Sequence, residues 1–196
     1  GEIWKIFDIM YEHLQEGDEI YFDITHGFRY LPMLVLVLGN YAKYLKNIRV
    51  AHVSYGNYEM RIANAGVAPF VDITSLAVLQ DWTMAVSDYL RHGEAKGLGQ
   101  CAMRELSPIL AKTKGQDEEA AKMRNLSKAL TAFSENILFC RGKEVLKGNG
   151  LAILKNTMET IDGSLLKPFG PLLERIRESV AKFSENNPEN MLEAAR

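Results

Sequence analysis

The chain has 196 residues, 47% of them hydrophobic and 24% charged, the balance of a globular protein able to bury a real core. A formal charge of −2 and a pI near 6.1 exclude a protein that coats nucleic acid by bulk electrostatics, so an anionic partner has to meet a shaped site. The apolar run 31–38 is well short of the ~18 residues of a membrane span, and Lys5, Asp8, Glu12 and His13 interrupt 4–14 as no secretory leader would be; no membrane partner and a cytoplasmic location are expected.

In chain order, Ile3, Ile6, Phe7, Met10 and Leu14 fall on one helical face, and Gly17-Asp18 ends that element. Residues 19–25 are short and rich in β-formers. An apolar stretch from Tyr30 to Leu45 follows, with Pro32 suited to a helix's first turn. Residues 48–55 read as a second strand closed by Gly56-Asn57, so 19–55 predicts a βαβ unit with a right-handed crossover. Two short strands, 58–62 and 67–73, are predicted to form a hairpin about Asn64-Ala65-Gly66.

From Leu76 the period changes. Leu79, Trp82, Val86, Tyr89 and Leu90 keep three-and-four spacing, and so do Met123, Leu126, Leu130, Phe133, Ile137 and Cys140, then Leu166, Phe169, Leu173, Ile176, Val180 and Phe183. Shorter helices are predicted over 98–110 and 151–161, with 113–119 a solvated connection. Composition shifts at the same place. Fourteen of the 18 aromatic residues and all four histidines lie at or before His92, and residues 1–81 carry a net charge of −4 against +2 beyond. The fold class is therefore α/β and then all-α, with domains at 1–75 and 76–196. Cys101 and Cys140 sit in helical periods without a metal-ligand companion and read as small buried hydrophobes. No His, Cys, Asp and Glu cluster has ligand spacing, so neither a metal nor a cofactor is expected.

The candidate site is the junction "YFDITHGFRY", residues 21–30. In an open parallel sheet, ligands collect beyond the carboxyl ends of strands, where the loop enters the next helix and unpaired amides and the helix dipole favour an anion. Asp23 suits ribose hydroxyls, an adenine amine or His26; Thr25 can cap the helix or turn its hydroxyl outward; Gly27 permits close approach; His26 and Arg29 suit phosphate. A nucleotide satisfies all of these. The same residues equally suit a structural corner in which Thr25 caps, Gly27 turns, His26 packs and Asp23 neutralises Arg29. An Asp23–His26 acid–base pair acting on a small molecule is a third reading.

Asp23-x-Thr25-His26-Gly27, followed by "FRYLPMLVLVLGNYAKYLKNI", resembles the DxTHG-motif family of CRISPR-associated CARF–HEPN proteins. The resemblance continues through "SYGNYE" and into "LQDWTMAVSDYLRHGEAKGL", which is similar to the opening helix of that family's HEPN domain. It implies a Rossmann-like, dimeric CARF portion that senses cyclic oligoadenylate through Asp23, Thr25, His26 and Gly27, to which charge and position add Arg29. It also implies a helical HEPN-like domain over 76–196 that cuts single-stranded RNA with an Arg and a His four to six residues apart. That pair is missing: the histidines are His13, His26, His52 and His92, and residues 93–196 contain none. No catalytic residue is assigned. The chain is accordingly expected to be an internal piece of a longer protein, lacking earlier CARF strands and ending close to the nuclease motif near Arg196. A non-catalytic nucleotide-binding regulator or adaptor is the competing expectation.

Overall fold

The computed structural model describes residues 1–25, 30–62, 65–139, 150–161 and 165–185. The chain divides into two compact units, 1–80 and 81–196.

In the first unit, α1 (Glu2–Glu12) leads to β1 (Glu19–Asp23), α2 (Leu31–Lys46), β2 (Arg49–Gly56), a 3₁₀ turn (Tyr58–Arg61) and β3 (Phe70–Asp72). β1 and β2 pair in parallel from Glu19↔Arg49 to Asp23↔Ser54, with a register shift between Ile20 and Tyr21 that leaves Ala51 unmatched. This is the βαβ unit predicted from the sequence. Pro32 lies in the first turn of α2, where its missing N–H costs nothing. The helix lies close on the sheet at Gly39, where an added Cβ would stand 3.1 Å from Val50 Cγ2 and 3.4 Å from Phe22 Cε2. Val35, Leu38 and Ala42 of α2 and Val53 of β2 are buried. Lys46, the last residue of α2, places its Nζ 2.8 Å from the Tyr11 carbonyl and 2.7 Å from that of Leu14, with the ammonium over the Tyr11 ring. It thereby satisfies the end of α1, which has no basic residue of its own in the last turn.

One prediction fails here. Residues 58–62 are not a strand, and Asn64 of the expected hairpin turn lies outside the described residues. Asn57 accepts a hydrogen bond from the Met60 amide through its side chain and winds the segment into the 3₁₀ turn, a local bond that outcompetes the β preference of Tyr58 and Ile62. The antiparallel partner of β3 is β2 itself, with Ser54↔Asp72 and Gly56↔Phe70.

α3 (Ser75–His92) contains the boundary between the units, at Gln80/Asp81. The second unit continues with α4 (Lys96–Lys112), α5 (Glu118–Leu138), α6 (Gly150–Glu159) and α7 (Gly170–Glu185). Trp82 is buried, meets Phe169 edge-on at 5.9 Å, and donates its indole N–H to Glu105 at 2.5 Å. Ser134 fixes the turn between α3 and α4 by accepting from the Ala95 amide and donating to the Gly93 carbonyl. Asp117 caps α5 by accepting from the Ala120 amide at 2.8 Å.

The predicted helix over 98–110 is longer than expected, running through Pro108. The predicted helix through Leu166 and Phe169 begins later, because Pro168 and Pro171 punctuate it and Pro171 suits only a first turn. Leu166 and Phe169 still bury in the core, from the turn before α7. Cys101 is buried, as its helical setting predicts; Cys140 lies outside the described residues. No described helix is long and apolar enough to cross a membrane.

Candidate functional site

β1 ends at Asp23, and the next residues are held by a compact set of bonds. The Asp23 Oδ1 atom accepts from the Thr25 amide at 2.9 Å and from the Thr25 hydroxyl at 2.5 Å, an Asx-type turn closed on the carboxylate. The Thr25 Oγ1 atom also accepts from the Gly56 amide at 2.8 Å. The Ile24 amide donates to the Ser54 carbonyl at 3.0 Å, extending the parallel ladder by one rung. Thr25 thus couples the carboxyl ends of the two parallel strands. A side chain at position 56 would be obstructed, since a Cβ there would lie 3.0 Å from Thr25 Cγ2 and 3.1 Å from Oγ1.

The Thr25 hydroxyl neither caps α2 nor turns outward. The N-cap of α2 is Tyr30, with no side-chain cap bond, and Leu34 donates to the Tyr30 carbonyl at 3.0 Å. Asp23 and Thr25 are brought together. His26, Gly27 and Arg29 lie outside the described residues.

Sequence reasoning missed Gly56, the third member of this corner. A signal existed: a glycine at the end of a strand marks close backbone approach. It also passed over the turn after β2. There the Arg61 guanidinium stands over the Tyr58 ring, 4.3 Å from its centroid, and donates to the Tyr58 hydroxyl. A third polar group sits where β2 meets β3. Thr74 donates its amide to Asp72 Oδ1 at 2.8 Å, its hydroxyl accepts from the Val53 amide at 2.9 Å, and His52 Nδ1 lies 3.3 Å from that hydroxyl and 3.7 Å from Asp72 Oδ1. The Thr74 side chain and then its amide hold the Asp72 carboxyl below its ordinary value, against desolvation in the other direction, and the His52 charge adds the smallest downward pull.

Residues 2–66 match the family described as "CRISPR system endoribonuclease Csx1, CARF domain". This segment is similar to the CARF domain of a CRISPR-associated family. The whole βαβ unit and the 3₁₀ turn fall inside it. A relative named CRISPR-associated protein MJ1674, from Methanocaldococcus jannaschii, is 32% identical over 97 residues, covering 48% of this chain. The matched stretch is 15% of that protein's length.

Proposed function

We propose that the chain is the sensor-bearing part of a CRISPR-associated antiviral protein and takes up a cyclic oligoadenylate at the carboxyl edge of β1 and β2. The observation that carries this reading is the Asp23–Thr25–Gly56 corner, which stiffens the point where a CARF-family parallel pair opens toward the N-terminus of α2. In this reading Asp23 and Thr25 hold the loop in shape. The amides around Gly27, with His26 and Arg29, take the phosphates. Asp23, Thr25, His26, Gly27 and Arg29 together form the ligand loop.

Residues 76–196 are read as a HEPN-like domain whose single-strand RNA cleavage belongs to the longer protein. Two copies pair through the CARF portion in the cytoplasm. The exposed Met33 and Val37 of α2 support pairing, since they leave apolar surface on the helix away from the sheet, while the half-exposed Tyr41 packs edge-on against Phe7 and Tyr11 of α1. A non-catalytic regulator is a second reading, favoured by the absence of histidine from 93–196.

Calorimetric titration of the 196-residue chain with cyclic oligoadenylates of several ring sizes tests the proposal. One ring size should bind, and Thr25→Val and His26→Ala should each weaken it by at least about tenfold, the loss of one charge-assisted or network hydrogen bond. No binding by the unmodified chain at any ring size would remove the proposal.

A further inference from the structure

The turn after β2 presents an aromatic ring and a cation that no structural duty accounts for. Tyr58 is 62% exposed, and Arg61 covers part of its ring while donating to its hydroxyl. Arg61 has no carboxylate partner among the described residues, although residues 1–81 carry ten acidic side chains against six basic ones. The pair is held in place by backbone. The Asn57 side chain accepts from the Met60 amide, and the Asn57 amide donates to the Pro69 carbonyl at 2.9 Å. Tyr58 is two residues past Gly56, so their Cα atoms are at most ~7.6 Å apart. Gly56 is itself bonded to Thr25. The turn that carries the pair therefore begins beside the corner, at the carboxyl end of β2.

We infer that Tyr58 and Arg61 form a second contact point for the nucleotide, outside the loop of residues 23–29: a purine stacks on the open part of the Tyr58 ring, and the Arg61 guanidinium meets the adjoining phosphate. The inference rests on the sensor reading above and adds the base-recognition element that the phosphate-seeking loop lacks. A tyrosine ring already carrying a guanidinium is a ready stacking platform. It offers a flat apolar surface at little side-chain entropy cost, and arginine adds its own planar face and spare N–H donors. Arg61 keeps donors in excess of the one bond to Tyr58.

The experiment is titration of the 196-residue chain with the cyclic oligoadenylate that the unmodified chain binds, across a range of salt concentrations. Tyr58→Leu should weaken binding roughly five- to a hundredfold, the range for one base stacked on an aromatic ring, while Tyr58→Phe stays within about threefold. Tyr58→Trp should keep affinity and show indole fluorescence quenched by the ligand, a readout independent of any folding defect in the leucine variant. Arg61→Ala should reduce the slope of log affinity against log salt by about one phosphate contact, and Arg61→Lys should restore it. Should Thr25→Val weaken binding while Tyr58→Leu binds like the unmodified chain, or Tyr58→Trp show no quenching, this inference falls and the sensor reading stands. Should the unmodified chain bind no cyclic oligoadenylate, both fall together.

Discussion

Thr25 illustrates why a motif residue's type is easier to read than its job. The Asp-x-Thr spacing is visible in the sequence and brings a carboxylate and a hydroxyl to one turn. What it cannot reveal is the Gly56 amide, 31 positions on, which donates to the hydroxyl oxygen. Only the parallel pairing of β1 with β2 makes them neighbours. Thr25→Val keeps the shape and removes the acceptor, leaving the buried Gly56 amide unpaired at a cost of about 1–3 kcal/mol. Hydrogen exchange should show the Gly56 amide losing its protection by at least about fivefold; unchanged protection would mean another acceptor holds it. Asp72 gives a pH-dependent counterpart. Its carboxyl titrates lower in the folded chain than in the unfolded one, so its contribution is present above the unfolded value of about 4 and fades as pH falls through the lower folded value. Thr74→Val removes the largest cause of the shift, and the Asp72 carboxyl carbon followed by NMR should then titrate closer to the ordinary range.

At the scale of elements, the helices and the two parallel strands were legible because burial imposes a period. Failures occurred where a single polar side chain or a proline overrides that period. Asn57 turns β-forming residues into a 3₁₀ turn, and Pro171 delays α7 while Leu166 and Phe169 keep their place in the core. The crossing of α4 with α5 was not legible at all. It depends on Gly99, where an added Cβ would stand 2.6 Å from Thr131 Oγ1 and 3.5 Å from Ser127 Oγ. Gly99→Ala gains helix propensity but forces α4 and α5 apart or drives Thr131 from its rotamer. We expect a net loss of about 1–3 kcal/mol, read as a lower denaturation midpoint of the helical unit. Asp117→Ala, which removes the α5 cap, should cost about 1 kcal/mol in the same measurement.

For the whole molecule, the change of composition near His92 and the change of period near Leu76 lead to an expected division at 75/76, and the structure separates into compact units at Gln80/Asp81. Function was less legible than architecture. The segment similar to the CARF family gathers its polar residues in a few adjacent letters, whereas the helical unit offers periodic apolar faces that any bundle would share. Residues 93–196 hold no histidine, so this chain should leave single-stranded RNA intact in a ribonuclease assay, and cleavage would place the catalytic residues elsewhere than the family's pattern. Val37→Glu on the exposed stripe of α2 should shift a sedimenting dimer to monomer, with unchanged sedimentation contradicting the proposed pairing face.

The central claim is that the carboxyl edge of β1 and β2 is where the messenger binds. Amide NMR of the labelled chain, recorded as a cyclic oligoadenylate is added, tests it most directly. The account predicts that Ile24, Thr25, Gly56 and Tyr58 shift most and saturate together. Saturable shifts confined to α4–α7, with those four amides unmoved, would contradict it.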